Sequence, residues 1–148
     1  KPTSDTEKYF KGYIYKIKIT LKDETTLLEY DFTKNTTRDL SGNGYNGILQ
    51  NGANLKYDGK RYALFLDGVD DYLQIPSLPS TIDFVSGYAI EIEATWSDIN
   101  NKYKLVNLGN DTIKNNISIY STEKNLGAEL FDNNNSSKVQ SENYLITK

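Results

Sequence analysis

Cysteine and histidine are both absent from this chain of 148 residues. The absence of cysteine excludes disulfides, thiol catalysis and cysteine-based zinc sites. The absence of histidine removes the usual general base near neutral pH and the commonest transition-metal ligand. A metal site would therefore have to be built from oxygen atoms, which favours calcium.

Long apolar runs and a strong charge excess are also missing. No run approaches the roughly 20 residues of a membrane-spanning helix, so we expect no membrane insertion. The net charge is −3 and no extended basic run occurs, so we expect no nucleic-acid partner. No signal peptide is visible, and the abrupt ends at Lys1 and Lys148 predict a fragment of a longer protein.

Period-two alternation of apolar and polar residues recurs along the chain, whereas helical periodicity is weak. Leu28, Tyr30 and Phe32, for example, fall on one side of a strand. The alternation predicts strands at 13–20, 27–32, 62–66, 72–75, 88–96, 103–108, 116–120 and 127–131. Glycine, asparagine and aspartate separate most of these segments. Many short strands at such spacing are typical of a β-sandwich.

Two polar segments narrow the prediction from β-sandwiches in general to one family. Residues 39–47 read Asp-Leu-Ser-Gly-Asn-Gly-Tyr-Asn-Gly, and residues 64–76 read Leu-Phe-Leu-Asp-Gly-Val-Asp-Asp-Tyr-Leu-Gln-Ile-Pro. With the strand at 28–32 before them and an alternating strand ending at Trp96 after them, this order resembles the laminin-G-like family of concanavalin A-like lectin/glucanase domains. The resemblance implies an all-β fold, an antiparallel β-sandwich of the jelly-roll type.

The resemblance also predicts a domain organisation. Residues 1–22 resemble the family's closing strand, yet they stand at the beginning, and residues 23–148 resemble a laminin-G-like sandwich that lacks a recognisable later strand pair. The first segment either ends a preceding repeat or closes the same domain in permuted order. An incomplete sandwich would have open sheet edges. A strand-sharing partner chain or a homo-oligomer could complete it by β-augmentation.

Asp39, Ser41 and Asn43 place side-chain oxygens at alternate positions before Gly44, as in the first half of a calcium loop. An EF-hand is excluded, because Gln50 stands where a bidentate glutamate is needed and no helices flank the loop. We therefore predict Asp39, Ser41 and Asn43 as candidate calcium ligands. The alternative interpretation is a set of Asx and glycine turns between strands.

Asp67, Asp70 and Asp71 form a second acidic group. Three neighbouring carboxylates repel one another unless they are solvated, hydrogen-bonded or metal-bound. Asp67-Gly68 is also typical of a tight turn, with Asp70 capping backbone amides. We interpret these residues as turn-formers in the first place.

Glu91 and Glu93 share one face of a strand, as the paired carboxylates of sandwich glycosidases do. The third acidic residue that similar glycosidases carry is absent, since Thr95 and Trp96 follow instead. We predict that the chain is not an enzyme. A glycosidase on the same scaffold is the remotest alternative.

Three aromatic residues, Trp96, Tyr45 and Tyr103, are the candidates for ligand binding, because an aromatic ring can stack on the apolar face of a sugar. Trp96 fits the edge of the core equally well, since it ends an alternating strand. Tyr13, Tyr15, Tyr57 and Tyr62 are comparable by type, and spacing does not distinguish them.

The function that we expect from the resemblance is non-catalytic recognition. The module would bind a glycan or a cell-surface protein through rim loops, with calcium as an assisting ion, in an extracellular, cell-surface or virion setting. The alternative is a structural module of a phage virion or a cell-surface fibre, suggested by the displaced closing strand. Fold alone does not determine function, so both hypotheses are kept.

Overall fold

The computed structural model of the chain describes residues 7–84, 86–97, 102–108, 116–122, 125–132 and 135–140. These residues consist of strands and turns, with one short 3-10 helix, Phe32–Lys34. The strands of the described residues are β1 Glu7–Tyr9, β2 Lys11–Leu21, β3 Thr26–Asp31, β4 Ile48–Gln50, β5 Asn54–Tyr57, β6 Tyr62–Asp67, β7 Tyr72–Gln74, β8 Tyr88–Trp96, β9 Lys102–Leu108, β10 Asn116–Thr122, β11 Asn125–Asp132 and β12 Asn135–Gln140. The prediction of an all-β fold is confirmed.

The chain divides into two compact units. One combines Lys1–Lys11 with Trp96–Lys148, and the other is Gly12–Thr95. The first contains a five-stranded sheet in the order β1-β9-β10-β11-β12, antiparallel except for the parallel pair β1–β9. Within the described part of the chain, no helix has the length and apolar character needed to cross a membrane.

The larger sheet of the 12–95 unit is built around β2, which pairs with β3, β6 and β8, while β5 continues the sheet beyond β6. Backbone hydrogen bonds of 3.0 Å from Lys22 to Gly87 and from Ser97 to Lys11 lie at the two ends of the β2–β8 pair. They require the two strands to run antiparallel. Of the segment 1–22 predicted as a closing-type strand, Lys11–Leu21 thus lies inside this sheet and Glu7–Tyr9 in the five-stranded one; the boundary at residues 22 and 23 stays a prediction.

The core of the 12–95 unit is built from buried residues of β2, β3 and β6 together with Phe32. Six of its largest side chains are less than 2% exposed, namely Ile14, Ile19, Leu28, Tyr30, Phe32 and Leu64. Tyr30 and Phe32 stack with ring centroids 5.6 Å apart. Full burial of one such aliphatic side chain contributes about 1.5–3 kcal/mol. The predicted shared side of Leu28, Tyr30 and Phe32 is therefore the core side.

Strict alternation fails at one point of β2, where the consecutive residues Ile14 and Tyr15 are both buried. Consecutive side chains of a strand point to opposite faces. Ile14 is part of the apolar core, whereas Tyr15 is covered by Arg61, whose Cζ lies 3.6 Å from the centroid of its ring. Tyr15 thus takes part in a second, polar group of contacts, and the core positions of β2 change parity between Ile14 and Ile17.

A two-stranded antiparallel sheet, β4–β7, also belongs to the 12–95 unit. Its pairing joins the end of the 39–47 loop to the strand that follows the acidic turn, because Ile48 pairs with Gln74 and Gln50 with Tyr72. Both polar segments singled out from the sequence are therefore held by the same small sheet.

Candidate functional site

The Asp39 loop, residues 39–47, is organised by one buried carboxylate. Asp39 is 4% exposed. Its Oδ1 accepts hydrogen bonds from the amides of Glu29 (3.1 Å) and Ser41 (2.9 Å). Its Oδ2 accepts from the Tyr45 amide (3.0 Å) and the Ser41 hydroxyl (2.8 Å). Burial by itself raises the pKa of Asp39, but the bonds from Ser41, Glu29 and Tyr45 outweigh it and lower that pKa.

The other polar residues of the Asp39 loop attach it to the start of β3. The Asn43 side-chain amide donates to the carbonyls of Thr26 (3.1 Å) and Leu27 (3.0 Å). The Ser41 hydroxyl also lies 3.2 Å from the Leu27 carbonyl. Asp39, Ser41 and Asn43 are thus brought together as predicted, and their contacts stabilise the loop. Amide donors surrounding a carboxylate also suit it poorly to a cation, and calcium binding here stays a prediction.

The Asp67 turn, residues 67–71, has a different electrostatic balance. Carboxylate oxygens of Asp67, Asp70 and Asp71 lie within 4.8 Å of one another, so among the described residues this group could hold a metal ion. Asp71 is 4% exposed and accepts a 2.9 Å bond from the Asp67 amide. Burial and the neighbouring charges of Asp67 and Asp70 raise the pKa of Asp71, although that one bond opposes them.

The hairpin of β5 and β6 ends in a rigid turn. The Asp58 Oδ1 accepts from the amides of Lys60 (2.7 Å) and Arg61 (2.9 Å), and the Asp58 amide donates to the Arg61 carbonyl at 3.0 Å. Gly59 adopts a φ of 103°, a left-handed conformation that glycine permits. The Asp58-Gly59 pair therefore closes this hairpin.

Two exposed tyrosines flank this turn. Tyr57 and Tyr62 are direct cross-strand partners, and their ring centroids are 5.5 Å apart in an edge-to-face arrangement. Tyr57 is 55% exposed and Tyr62 is 39% exposed. Each ring fixes the other, so the hairpin presents a preorganised aromatic pair to solvent.

A polar network starts at Asp58, in the turn that the two tyrosines flank. The Tyr15 hydroxyl donates to Asp58 Oδ2 at 2.6 Å, and the Thr95 hydroxyl lies 3.3 Å from the Tyr15 oxygen. The Tyr15 bond is the main cause that lowers the pKa of Asp58 to about 2. Arg61 stacks on the Tyr15 ring and donates to Glu93 Oε1 at 2.5 Å. The network holds Arg61 and Glu93 in fixed orientations on the sheet face.

The same face continues towards β5 with aromatic and cationic groups. Tyr13 lies two positions before Tyr15 in β2, so both point to the same side. Its ring centroid is 5.2 Å from that of Phe65. The Lys56 ammonium lies 4.8 Å from the centroid of Phe65, within cation–π range. By the register of the hairpin, Lys56 and Phe65 lie on the face opposite to Tyr57 and Tyr62. We call the exposed pair Tyr57 and Tyr62, with Asp58 in the turn between them, the tyrosine hairpin site.

Of the two carboxylates considered for catalysis, Glu93 is the one engaged by Arg61. Glu91 and Glu93 lie on the exposed side of β8, as their spacing predicts. The Glu93–Arg61 ion pair is partly solvated, since the two side chains are 47% and 42% exposed. The prediction that the chain is not an enzyme stays a prediction.

The predicted ligand-binding aromatics occupy different settings. Tyr45 is half-buried in the Asp39 loop, and its carbonyl accepts a hydrogen bond from the Tyr30 hydroxyl. Trp96 packs edge-to-face on buried Phe10 with centroids 5.7 Å apart. The backbone of Tyr103 lies in β9, but its side chain is outside the described residues. Their roles in ligand binding stay predictions.

The sequence reasoning did not distinguish Tyr57 and Tyr62 from the other tyrosines, although a signal was present. Four residues, 58–61, separate them and contain an Asp-Gly turn. Residues that flank such a hairpin turn face each other across the two strands. That symmetry predicts an aromatic pair, whereas the contribution of Arg61 depends on β2 and β8, which are distant in the chain.

Comparisons with protein-family models, with curated proteins and with solved structures found no match to this chain. The likeness to laminin-G-like domains therefore rests on the motifs of the sequence itself.

Proposed function

We propose that this chain is a non-catalytic recognition module of the laminin-G-like, concanavalin A-like type, a jelly-roll sandwich that binds carbohydrate. Its setting would be extracellular, on a cell surface or in a virion. The ordered motifs of residues 28–96 and the all-β architecture support the fold. The ligand class is supported by the side chains of the tyrosine hairpin site.

The exposed Tyr57–Tyr62 pair is the observation that carries the proposal. A sugar ring has an apolar C–H face and polar edges, so it needs an aromatic surface with hydrogen-bonding groups beside it. The Asp58 carboxylate, in the turn between the two tyrosines, is such a group, and hydrogen bonds from Tyr15, Lys60 and Arg61 orient it. Preorganised groups lose little conformational entropy when a ligand binds.

Calcium assistance is part of the proposal. Asp39, Ser41 and Asn43 are the ligands favoured by the sequence, and Asp67, Asp70 and Asp71 are the group whose oxygens lie closest to one another. The oxygens of the Asp67 turn suit calcium better than those of the Asp39 loop, because amide donors do not surround them. Glycan binding would then weaken in the presence of a chelator.

A glycan array tests the carbohydrate proposal. The wild-type chain is compared with the double variant Tyr57→Ala/Tyr62→Ala, each with calcium and with chelator. Tyr72→Ala is the matched control, because Tyr72 is a similarly exposed tyrosine (42%) on β7. We expect binding that the double variant loses and the control keeps. The absence of binding in every condition, or equal binding by the double variant, would contradict the proposal.

A second candidate function, an assembly module of a virion or fibre, is favoured by the exposed apolar side chains of the β4–β7 sheet. The register places Ile48 and Tyr72 on the same face as Gln50 and Gln74. Ile48 is 51% exposed and Tyr72 is 42% exposed. Exposed apolar groups of this kind are found in contacts between chains.

Size-exclusion chromatography with light scattering distinguishes the two functions. An assembly module forms a homo-oligomer or a complex with a strand-sharing partner at micromolar concentration, and Ile48→Ser weakens it. A strict monomer that binds glycans would contradict the assembly hypothesis.

A further inference from the structure

Three asparagines of the 12–95 unit precede glycine, and they differ in how firmly they are held. In an Asn-Gly pair the glycine nitrogen can attack the side-chain carbonyl carbon, because no side chain hinders the approach. The local sequence is therefore equally reactive at all three places, and tertiary contacts decide which one reacts. The pairs are Asn43-Gly44, Asn46-Gly47 and Asn51-Gly52.

In the pair Asn46-Gly47, hydrogen bonds hold both reacting groups, the backbone nitrogen of Gly47 and the side-chain amide of Asn46. The nucleophile, the Gly47 nitrogen, donates to the Thr37 carbonyl at 2.8 Å. The Asn46 Oδ1 accepts from the Asp39 amide at 2.9 Å, which fixes the side chain. A Cβ atom on Gly47 would lie 2.8 Å from the end of the Leu73 side chain, so a rearrangement of the backbone here would have to displace Leu73. Reaction here requires opening of the Asp39 loop.

In the pair Asn43-Gly44, hydrogen bonds hold only one of the two reacting groups, the side-chain amide of Asn43. The Asn43 side-chain nitrogen donates to the carbonyls of Thr26 and Leu27, which holds the amide away from its own backbone. The space next to Gly44 is open, because no atom lies within 4 Å of a Cβ placed there. Reaction at Asn43 therefore requires the loss of two hydrogen bonds.

In the pair Asn51-Gly52 the asparagine side chain is held by fewer hydrogen bonds than Asn43, although a Cβ atom placed on Gly52 would lie 2.9 Å from the Asp71 carboxylate. The pair forms the exposed turn between β4 and β5, closed by a 3.1 Å bond from the Ala53 amide to the Gln50 carbonyl. The Asn51 side chain makes a single hydrogen bond, from its nitrogen to the Asp70 carbonyl at 2.9 Å. One exposed hydrogen bond opposes the reaction here, and such a bond is readily broken.

We propose that Asn51 is the site of spontaneous deamidation in the folded protein, ahead of Asn43 and far ahead of Asn46. The Gly52 nitrogen forms a bond to Cγ of Asn51 and gives up its proton, and the side-chain nitrogen leaves as ammonia. Water then opens the resulting cyclic imide to aspartate or isoaspartate. The product replaces the donor to Asp70 with a carboxylate beside the acidic turn, so the β4–β5 turn is released from it.

The reaction can be followed by peptide mapping with mass spectrometry after incubation in mildly alkaline buffer made with oxygen-18 water. Hydrolysis of the imide marks each reacted site with the heavy isotope. The full chain is incubated in native buffer and, in parallel, in concentrated urea. We expect Asn51 to react roughly tenfold faster than Asn46 in native buffer, because Asn46 must await local opening. In urea the three rates converge.

The variant Asn51→Gln is the control for assignment, since its longer side chain cyclises poorly. We expect this peptide to stay unmodified while Asn43 and Asn46 react as before. Equal rates at the three sites in native buffer would overturn the proposal. So would a faster reaction at Asn43 or Asn46 than at Asn51, or reaction in urea alone.

Discussion

The Asp39 loop and the Asp67 turn bury one aspartate each to the same extent, yet they shift its pKa in opposite directions. Asp39 and Asp71 are both 4% exposed. Three amides and a hydroxyl donate to Asp39, whereas Asp71 accepts one amide and has two further carboxylates nearby. The supply of donors, and not burial itself, therefore decides whether a buried carboxylate is stabilised in its charged form.

The largest expected difference between the two regions is in the free energy of unfolding when each buried aspartate is replaced by asparagine. Asp39→Asn places an NH2 group against amide donors, and we expect it to lower the free energy of unfolding by about 3 kcal/mol. Asp71→Asn keeps an acceptor for the Asp67 amide and removes repulsion, so we expect a loss below about 1 kcal/mol. Urea titrations measure both. Equal losses would show that burial dominates.

The acid dependence of stability should also have opposite signs. The pKa of Asp39 is lowered, so its contribution is present above the ordinary value of 3.8 and is lost as pH falls through the folded value below 3.8. The pKa of Asp71 is raised, so its contribution is present below 3.8 and is lost as pH rises through the folded value above 3.8.

Urea titrations across this pH range test these signs. Asp39→Asn should flatten the profile of unfolding free energy below pH 3.8, and Asp71→Asn should flatten it above pH 3.8. If the profile of Asp39→Asn below pH 3.8, or that of Asp71→Asn above pH 3.8, equals the wild-type profile, the corresponding pKa shift is wrong.

Calcium should bind to the Asp67 turn and not to the Asp39 loop. At ten times the dissociation constant, calcium should add about 1.4 kcal/mol to the free energy of unfolding. We expect Asp70→Asn to abolish this gain and Asn43→Ala to keep it, because the oxygens of the Asp67 turn are not surrounded by amides. Thermal unfolding with calcium and with chelator measures the gain. The reverse result would place calcium in the Asp39 loop.

The smallest expected effects concern two hydrogen bonds. In each, a side chain from another part of the chain donates to a backbone carbonyl of the Asp39 loop or of the Asp67 turn. Tyr30→Phe leaves the Tyr45 carbonyl without its donor, and we expect a loss of about 1 kcal/mol because Tyr30 is fully buried. Asn51→Ala removes the exposed bond to the Asp70 carbonyl, with an expected loss below about 0.5 kcal/mol. Urea titration compares the two, and a larger loss at Asn51 would reverse the ranking.

Most strands were predictable because period-two alternation is a local property. β8 occupies Tyr88–Trp96 as the alternation predicts, and β3 and β6 agree within one residue. The short strands β4 and β5 were missed, since three or four residues carry too little periodicity. β1 and β12 were missed as well, because polar residues dominate both segments.

The candidate site was only partly predictable. Asp39, Ser41 and Asn43 interact with one another, as their spacing indicates. That Glu29 donates to Asp39, or that Arg61 covers Tyr15, depends on the register between distant strands. Such register is set by packing of the core and leaves no trace in neighbouring residues.

The sequence by itself determined the turns and the alternation, because glycine, asparagine and aspartate act on the backbone within a few residues of themselves. Two acidic segments and a set of tyrosines were therefore visible from the start. Only the tertiary structure decided which aspartate received donors, which tyrosines remained exposed and which asparagine was left loosely held. Each of these outcomes depends on groups that folding brings together from distant parts of the chain.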